Sequence, residues 1–297
     1  MTMTQGKDVI YVNGDSFTEG SDLDYHLLPF FERHYSHRDV INGDQAKLFE
    51  VQNIFLNKQI DFYNNNPAQL EQCYDYRKKM RWSSILSNIL NKPVLNFSSQ
   101  SGSSMYAICY RTLQDLMMLK RKGYDVTHII IQLTGPTRIS TFKETAWDEE
   151  PDYTQNKFLE RQKYKIISRL LSDPSDIQHQ ALIASDEPLD ISETRFIYEL
   201  FLFKNAIENI TDAKLIFVDS VFFKRTIYDI EGFTDIFLFL QHKHYLLDFT
   251  EKMKEQVELS MLDCIDVDEP DTITVGFHFT EKIHKKFAEK IAERYFK

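Results

Sequence analysis

Four short apolar runs stand out from a chain that is otherwise polar in texture. Asp8-Val9-Ile10-Tyr11-Val12-Asn13, Val94-Leu95-Asn96-Phe97, Thr127-His128-Ile129-Ile130-Ile131-Gln132-Leu133 and Ala213-Lys214-Leu215-Ile216-Phe217-Val218-Asp219 are near-continuously apolar and rich in β-branched residues. That texture predicts strands buried on both faces, as in a parallel sheet, rather than half-exposed strands with strict alternation. Helical spacing separates them. Trp82, Ile85, Leu86, Ile89 and Leu90 mark a helix stopped by Pro93, and Met105, Ile108, Cys109, Leu113, Leu116 and Met117 mark one ending near Gly123. Residues 193–210, 234–262 and 280–295 read as further helices, the last with Ile283, Phe287, Ala288, Ile291 and Ala292 on one face. The alternation predicts an α/β fold with helices covering both faces of a parallel sheet. Two stretches lack clear periodicity, about 21–80 and 142–190; they read as insertions, the first irregular with short helical pieces, the second partly helical. No Pro/Gly/Ser linker and no repeat divides the chain, which predicts one domain over 1–297.

Composition narrows the class of partner. With 35 Lys+Arg against 45 Asp+Glu the formal net charge is -10. Without a local basic face, that balance disfavours nucleic acid and anionic membranes. The three cysteines are far apart and form no C-x-x-C, so neither a disulfide framework nor a thiolate zinc site is expected. His242 and His244, and His34 and His37, lack acidic or Cys ligands at a zinc spacing and read as solvated; no metal and no cofactor are expected. No leader pattern or apolar span is visible, which predicts a cytoplasmic protein.

Ligands of parallel sheets bind beyond the carboxyl ends of the strands. Three polar loops fall there, at 14–20, 98–104 and 134–138. The first, Gly14-Asp15-Ser16-Phe17-Thr18-Glu19-Gly20, resembles the opening block of the SGNH (GDSL-type) serine hydrolases. Asn96-Phe97-Ser98-Ser99-Gln100-Ser101-Gly102-Ser103-Ser104 is similar to their second block, which implies an oxyanion role for the Gly102 N–H. In the third block the usual Asn is replaced by Thr134, in a Thr-x-Pro-x-Arg ending that resembles bacteriophage-encoded branches and makes a virion location the alternative to the cytoplasm. The last block, normally Asp-x-x-His, is Val275-Gly276-Phe277-His278; the His is kept and the acid is absent. The resemblance implies a flavodoxin-like three-layer α/β/α fold, a nucleophilic Ser16, a base at His278, and an oxyanion hole formed by Ser16, Gly102 and Thr134.

The residue types suit that chemistry. A serine hydroxyl needs a base in reach, and imidazole accepts and returns a proton near neutrality. With no acid at 275, the His278 tautomer has to be fixed by Asp271 looping back or by a main-chain carbonyl near Val275. Read singly, Ser16 and Thr18 would only satisfy helix N-terminal amides, His278 would be a residue near a helix cap, and His284 is structural. Three functions remain open. The first is a serine-dependent esterase or deacylase acting on a small acyl ester or an O-acetylated carbohydrate, with the insertions as walls over the site. The second is an SGNH-like module without catalysis, serving as a binding or structural part of a phage particle. The third is phosphate or flavin binding at the Ser16/Thr18 loop, which the absence of a Gly-rich nucleotide signature opposes.

Overall fold

The computed structural model describes residues 7–98, 104–134, 138–144, 164–170, 189–220 and 259–297. In chain order the elements are β1 (Lys7–Asn13), α1 (Ser16–Glu19), α2 (His37–Asn42), α3 (Gln45–Asn65), α4 (Pro67–Met80), α5 (Trp82–Leu90), β2 (Val94–Asn96), α6 (Met105–Arg121), β3 (Tyr124–Leu133), β4 (Arg138–Glu144), β5 (Tyr164–Leu170), α7 (Leu189–Ile210), β6 (Lys214–Asp219) and α8 (Glu281–Tyr295). The protein is α/β, with a parallel sheet and helices, as the pattern predicts. Its backbone forms two compact units interleaved in sequence: Met1–Asp15 with Phe97–Glu258, and Ser16–Asn96 with Leu259–Lys297.

In the first unit β1, β3 and β6 lie side by side, all parallel, with Asn13 opposite Ile131 and Leu133 opposite Asp219. Their carboxyl halves are buried throughout, which is why they read as unbroken apolar runs. Buried polar bonds tie α6 to β1. The Tyr11 hydroxyl donates to Asp115 Oδ2 at 2.8 Å, and Asn13 Nδ2 donates to the Tyr11 hydroxyl at 3.1 Å and to Thr112 Oγ1 at 3.0 Å. Asn13 Oδ1 accepts the Gly14 N–H at 2.8 Å, so the same side chain starts the turn that ends β1. Residues expected to be partly helical form an antiparallel pair instead, β4 with β5, Arg138 opposite Leu170 and Glu144 opposite Tyr164. The helix expected over 234–262 falls mostly outside the described residues, and its last residues form a 3-10 turn, Met261–Cys264.

The second unit overturns the irregular reading of 21–80. That stretch is mainly helical, with α3 running 21 residues and α4 running 14. Asp44 caps α3 by accepting the Ala46 and Lys47 N–H groups, and Pro67 sits at the start of α4, where a missing N–H costs nothing. The C-terminal α8 packs on α5. Trp82 and Phe287, both fully buried, meet edge to face at 5.5 Å, and the Trp82 backbone N–H donates to His284 Nδ1 at 3.1 Å.

Candidate active site

Ser16 is the third residue after β1 and opens α1. Its carbonyl accepts both the Gly20 and the Ser21 N–H at 3.0 Å, which closes the turn tightly. Gly20 has φ +82, and a Cβ there would stand 2.7 Å from Leu23 Cδ1 and 2.9 Å from Arg81 Cβ, so glycine is required on two counts. Asn96 holds α1 from the other side, donating to the Thr18 carbonyl at 2.9 Å and to Ser83 Oγ at 2.7 Å. Asp22 then adopts a left-handed conformation, φ 69. For a non-glycine residue this costs about 1–2 kcal/mol, and it accompanies a carboxylate turned to a specific partner.

That partner is His278. Its Nε2 lies 2.8 Å from Ser16 Oγ, and its Nδ1 lies 2.6 Å from Asp22 Oδ2. A carboxylate only accepts, so the geometry assigns the ring proton to Nδ1 and leaves Nε2 free to take the serine proton. The His278 side chain is 20% exposed whereas that of Asp22 is 9% exposed, so the imidazole keeps an open edge while the carboxylate is nearly sealed. Phe17 packs on the imidazole at 4.9 Å. Burial pushes the Asp22 carboxyl upward, but the His278 charge, hydrogen bonds from His278 and Tyr25, and the Arg77 guanidinium outweigh it and hold it below the usual carboxylate range.

The group that meets His278 Nδ1 is therefore the Asp22 carboxylate, and neither Asp271 nor a main-chain carbonyl orients the imidazole. Asp271 is exposed, with φ 58, and its carbonyl accepts the Thr280 hydroxyl at 2.7 Å. The turn just before His278, where the resemblance led one to look for an acid, instead makes room for Asp22. A Cβ on Gly276 would fall 2.0 Å from Asp22 Oδ2, so the turn before His278 lies directly against the carboxylate. Thr274 Oγ1 donates to Asp22 Oδ2 at 3.1 Å and accepts the His278 N–H at 3.1 Å.

Around the acid is a buried ionic cluster. Asp24, fully buried, pairs with Arg77 of α4 through Nε and through Nη2 at 3.2 Å, and accepts the Tyr63 hydroxyl of α3. Burial, and then the Asp22 carboxylate beside it, push the Tyr25 hydroxyl well up, keeping it a protonated donor to Asp22. The 21–80 stretch thus supplies the carboxylate on His278 Nδ1 and the buried ion pair near it. Glu19 is pushed up by burial against opposing pulls from Arg77, His278 and Arg81. His284 is structural as expected: burial, then the His278 charge, lower it to about 3, so it stays neutral and accepts the Trp82 backbone N–H.

Ser16 and His278 are brought together as the sequence predicts. Thr134 belongs to the first unit, one residue past β3, fully buried, and its hydroxyl has no hydrogen-bond partner among the described residues. Gly102 lies outside the described residues. The residue that sequence reasoning missed is Asp22. Its signal was an acidic doublet, Asp22 and Asp24, six and eight positions after the serine, inside a stretch set aside as an insertion. Comparison with protein-family models finds no match to this chain, and comparison with curated proteins finds none.

Proposed function

We propose that the chain is a serine-dependent ester hydrolase of SGNH type, in which Ser16 attacks, His278 is the base and Asp22 orients it. One observation carries this reading: a single imidazole holds Ser16 Oγ at 2.8 Å on Nε2 and Asp22 Oδ2 at 2.6 Å on Nδ1. Geometry and roles identify such a triad irrespective of the order of its members in the chain. The Ser16 hydroxyl passes its proton to Nε2 as Oγ bonds to the ester carbonyl carbon. The tetrahedral adduct then expels the alcohol, which takes the proton back from Nε2 and leaves an acyl group on Ser16. Water, deprotonated by the same nitrogen, releases the acid and regenerates the serine. Asp22 stays ionised and stabilises the transient imidazolium. The parallel α/β architecture supports the flavodoxin-like three-layer fold that the resemblance implies. The substrate class we propose is a small acyl ester, with an O-acetylated carbohydrate as the first candidate.

The non-catalytic alternative drew its force from two departures, the missing acid before His278 and Thr134 in place of the third-block Asn. The Asp22 carboxylate on His278 Nδ1 answers the first and weighs toward the hydrolase reading. The test is labelling by a fluorophosphonate together with turnover of p-nitrophenyl acetate. Wild type is expected to be labelled at one site, and Ser16→Ala to lose labelling and at least about 10³-fold in turnover while staying folded. Equal turnover by a folded Ser16→Ala, or an unlabelled wild type without activity, would sink the proposal.

A further inference from the structure

We propose that Thr274 is the positioning residue that lets Asp22 serve as the triad acid, one hydroxyl clamping the acid segment to the base segment. The proposal rests on reading Ser16, His278 and Asp22 as a hydrolytic triad. A threonine hydroxyl has one proton and two lone pairs. Here the proton goes to Asp22 Oδ2 at 3.1 Å, across 252 positions of chain, and a lone pair takes the His278 backbone N–H, also at 3.1 Å. Because the proton is committed to the carboxylate, the direction of the chain N–H to Oγ–H to Oδ2 is fixed, and each bond polarises the next.

The surroundings leave the hydroxyl little freedom. Thr274 is fully buried, and its β-branch restricts rotation about χ1. Its backbone N–H donates to the His278 carbonyl at 2.8 Å, and its own carbonyl accepts the Phe277 N–H at 3.0 Å. The turn from 274 to 278 is thus closed by backbone bonds, passes Phe277 through φ 61, and rests with Gly276 against the carboxylate. Asp22 Oδ2 accepts from both His278 Nδ1 and the Thr274 hydroxyl. Without the hydroxyl, Asp22 Oδ2 would lose the donor that the turn supplies beside the imidazole, and the His278 N–H would lose its bond to Thr274 Oγ1. Threonine here does what adjacency in the family's Asp-x-x-His block does elsewhere: it sets the acid and the base in register.

The test compares Thr274→Val, which keeps the shape and removes the hydroxyl, with Thr274→Ser, which keeps the hydroxyl. Two quantities are read: the far-downfield proton resonance of His278 Nδ1–H, and kcat/KM for p-nitrophenyl acetate. Thr274→Val is expected to lose or shift the resonance upfield and to lower kcat/KM about 10–100-fold, the worth of a hydrogen bond to a charged group, while Thr274→Ser retains both. Should Thr274→Val fail to fold, Thr274→Cys, a weak donor of similar size, must show the same upfield shift. A folded Val or Cys variant with an unshifted resonance and wild-type kcat/KM overturns the clamp. The resonance needs no turnover, so the two proposals fail separately. A protein inert toward esters whose resonance still depends on Thr274 overturns the hydrolase reading and supports the clamp.

Discussion

At the scale of single residues, the site turns on which carboxylate faces His278 Nδ1. Replacing Asp22 by Asn presents an amide that can donate to Nδ1, favours the wrong imidazole tautomer, and should lower kcat/KM on the order of 10⁴-fold with the fold retained. Asp271→Asn, at an exposed left-handed position that Asn tolerates, should leave kcat/KM within about threefold. Both are read by p-nitrophenyl acetate turnover, and reversed sensitivities would return the role to Asp271. Ser16 and His278 were legible because each sits in a local block beside a strand end or a helix start. Asp22 was not legible. Its pairing is tertiary, over 256 positions, and the local string around it, Gly20-Ser21-Asp22-Leu23-Asp24, has the composition of any polar turn.

At the scale of elements, amphipathic pattern succeeded where one face of a helix meets a core and failed where it does not. Ile283, Phe287, Ala288, Ile291 and Ala292 were read as the buried stripe of α8, and all five are buried. Along α3, Phe49, Val51, Ile54 and Ile60 are exposed, so its apolar positions do not trace one inward stripe and its 21 residues read as irregular. The helix starts, Asp44 before α3 and Pro67 at the first turn of α4, went unread because no apolar stripe follows them. The seat of α8 on α5 depends on Phe287 against Trp82. Phe287→Ala empties a fully buried ring site and should cost about 3–5 kcal/mol, seen as a lower urea midpoint followed by tryptophan fluorescence. An unchanged midpoint would mean that the two helices hold together by other contacts.

At the scale of the whole molecule, buried ionisable groups shape the response to pH. Burial raises Asp115 to about 7, against the pull of the Tyr11 hydroxyl and the Arg111 guanidinium. The folded chain then keeps a proton that the unfolded chain releases, so stability is undiminished below about pH 4 and falls as pH rises toward about 7. Asp115→Asn removes that loss. Relative to wild type, its stability should therefore rise between about pH 4 and 7 by up to roughly 4 kcal/mol, measured as the difference in thermal midpoint across that range; a constant difference would contradict the raised carboxyl. The route of the chain has a consequence in time. The unit that holds Ser16 is completed only by Leu259–Lys297, and His278 follows the serine by 262 positions. At about 5–20 residues per second, ribosomes reach the histidine roughly 13–50 s after the serine. Through that interval the nascent chain carries Ser16 without His278, so on the proposed reading esterase activity in a synchronised translation reaction should appear only after position 278 has been made.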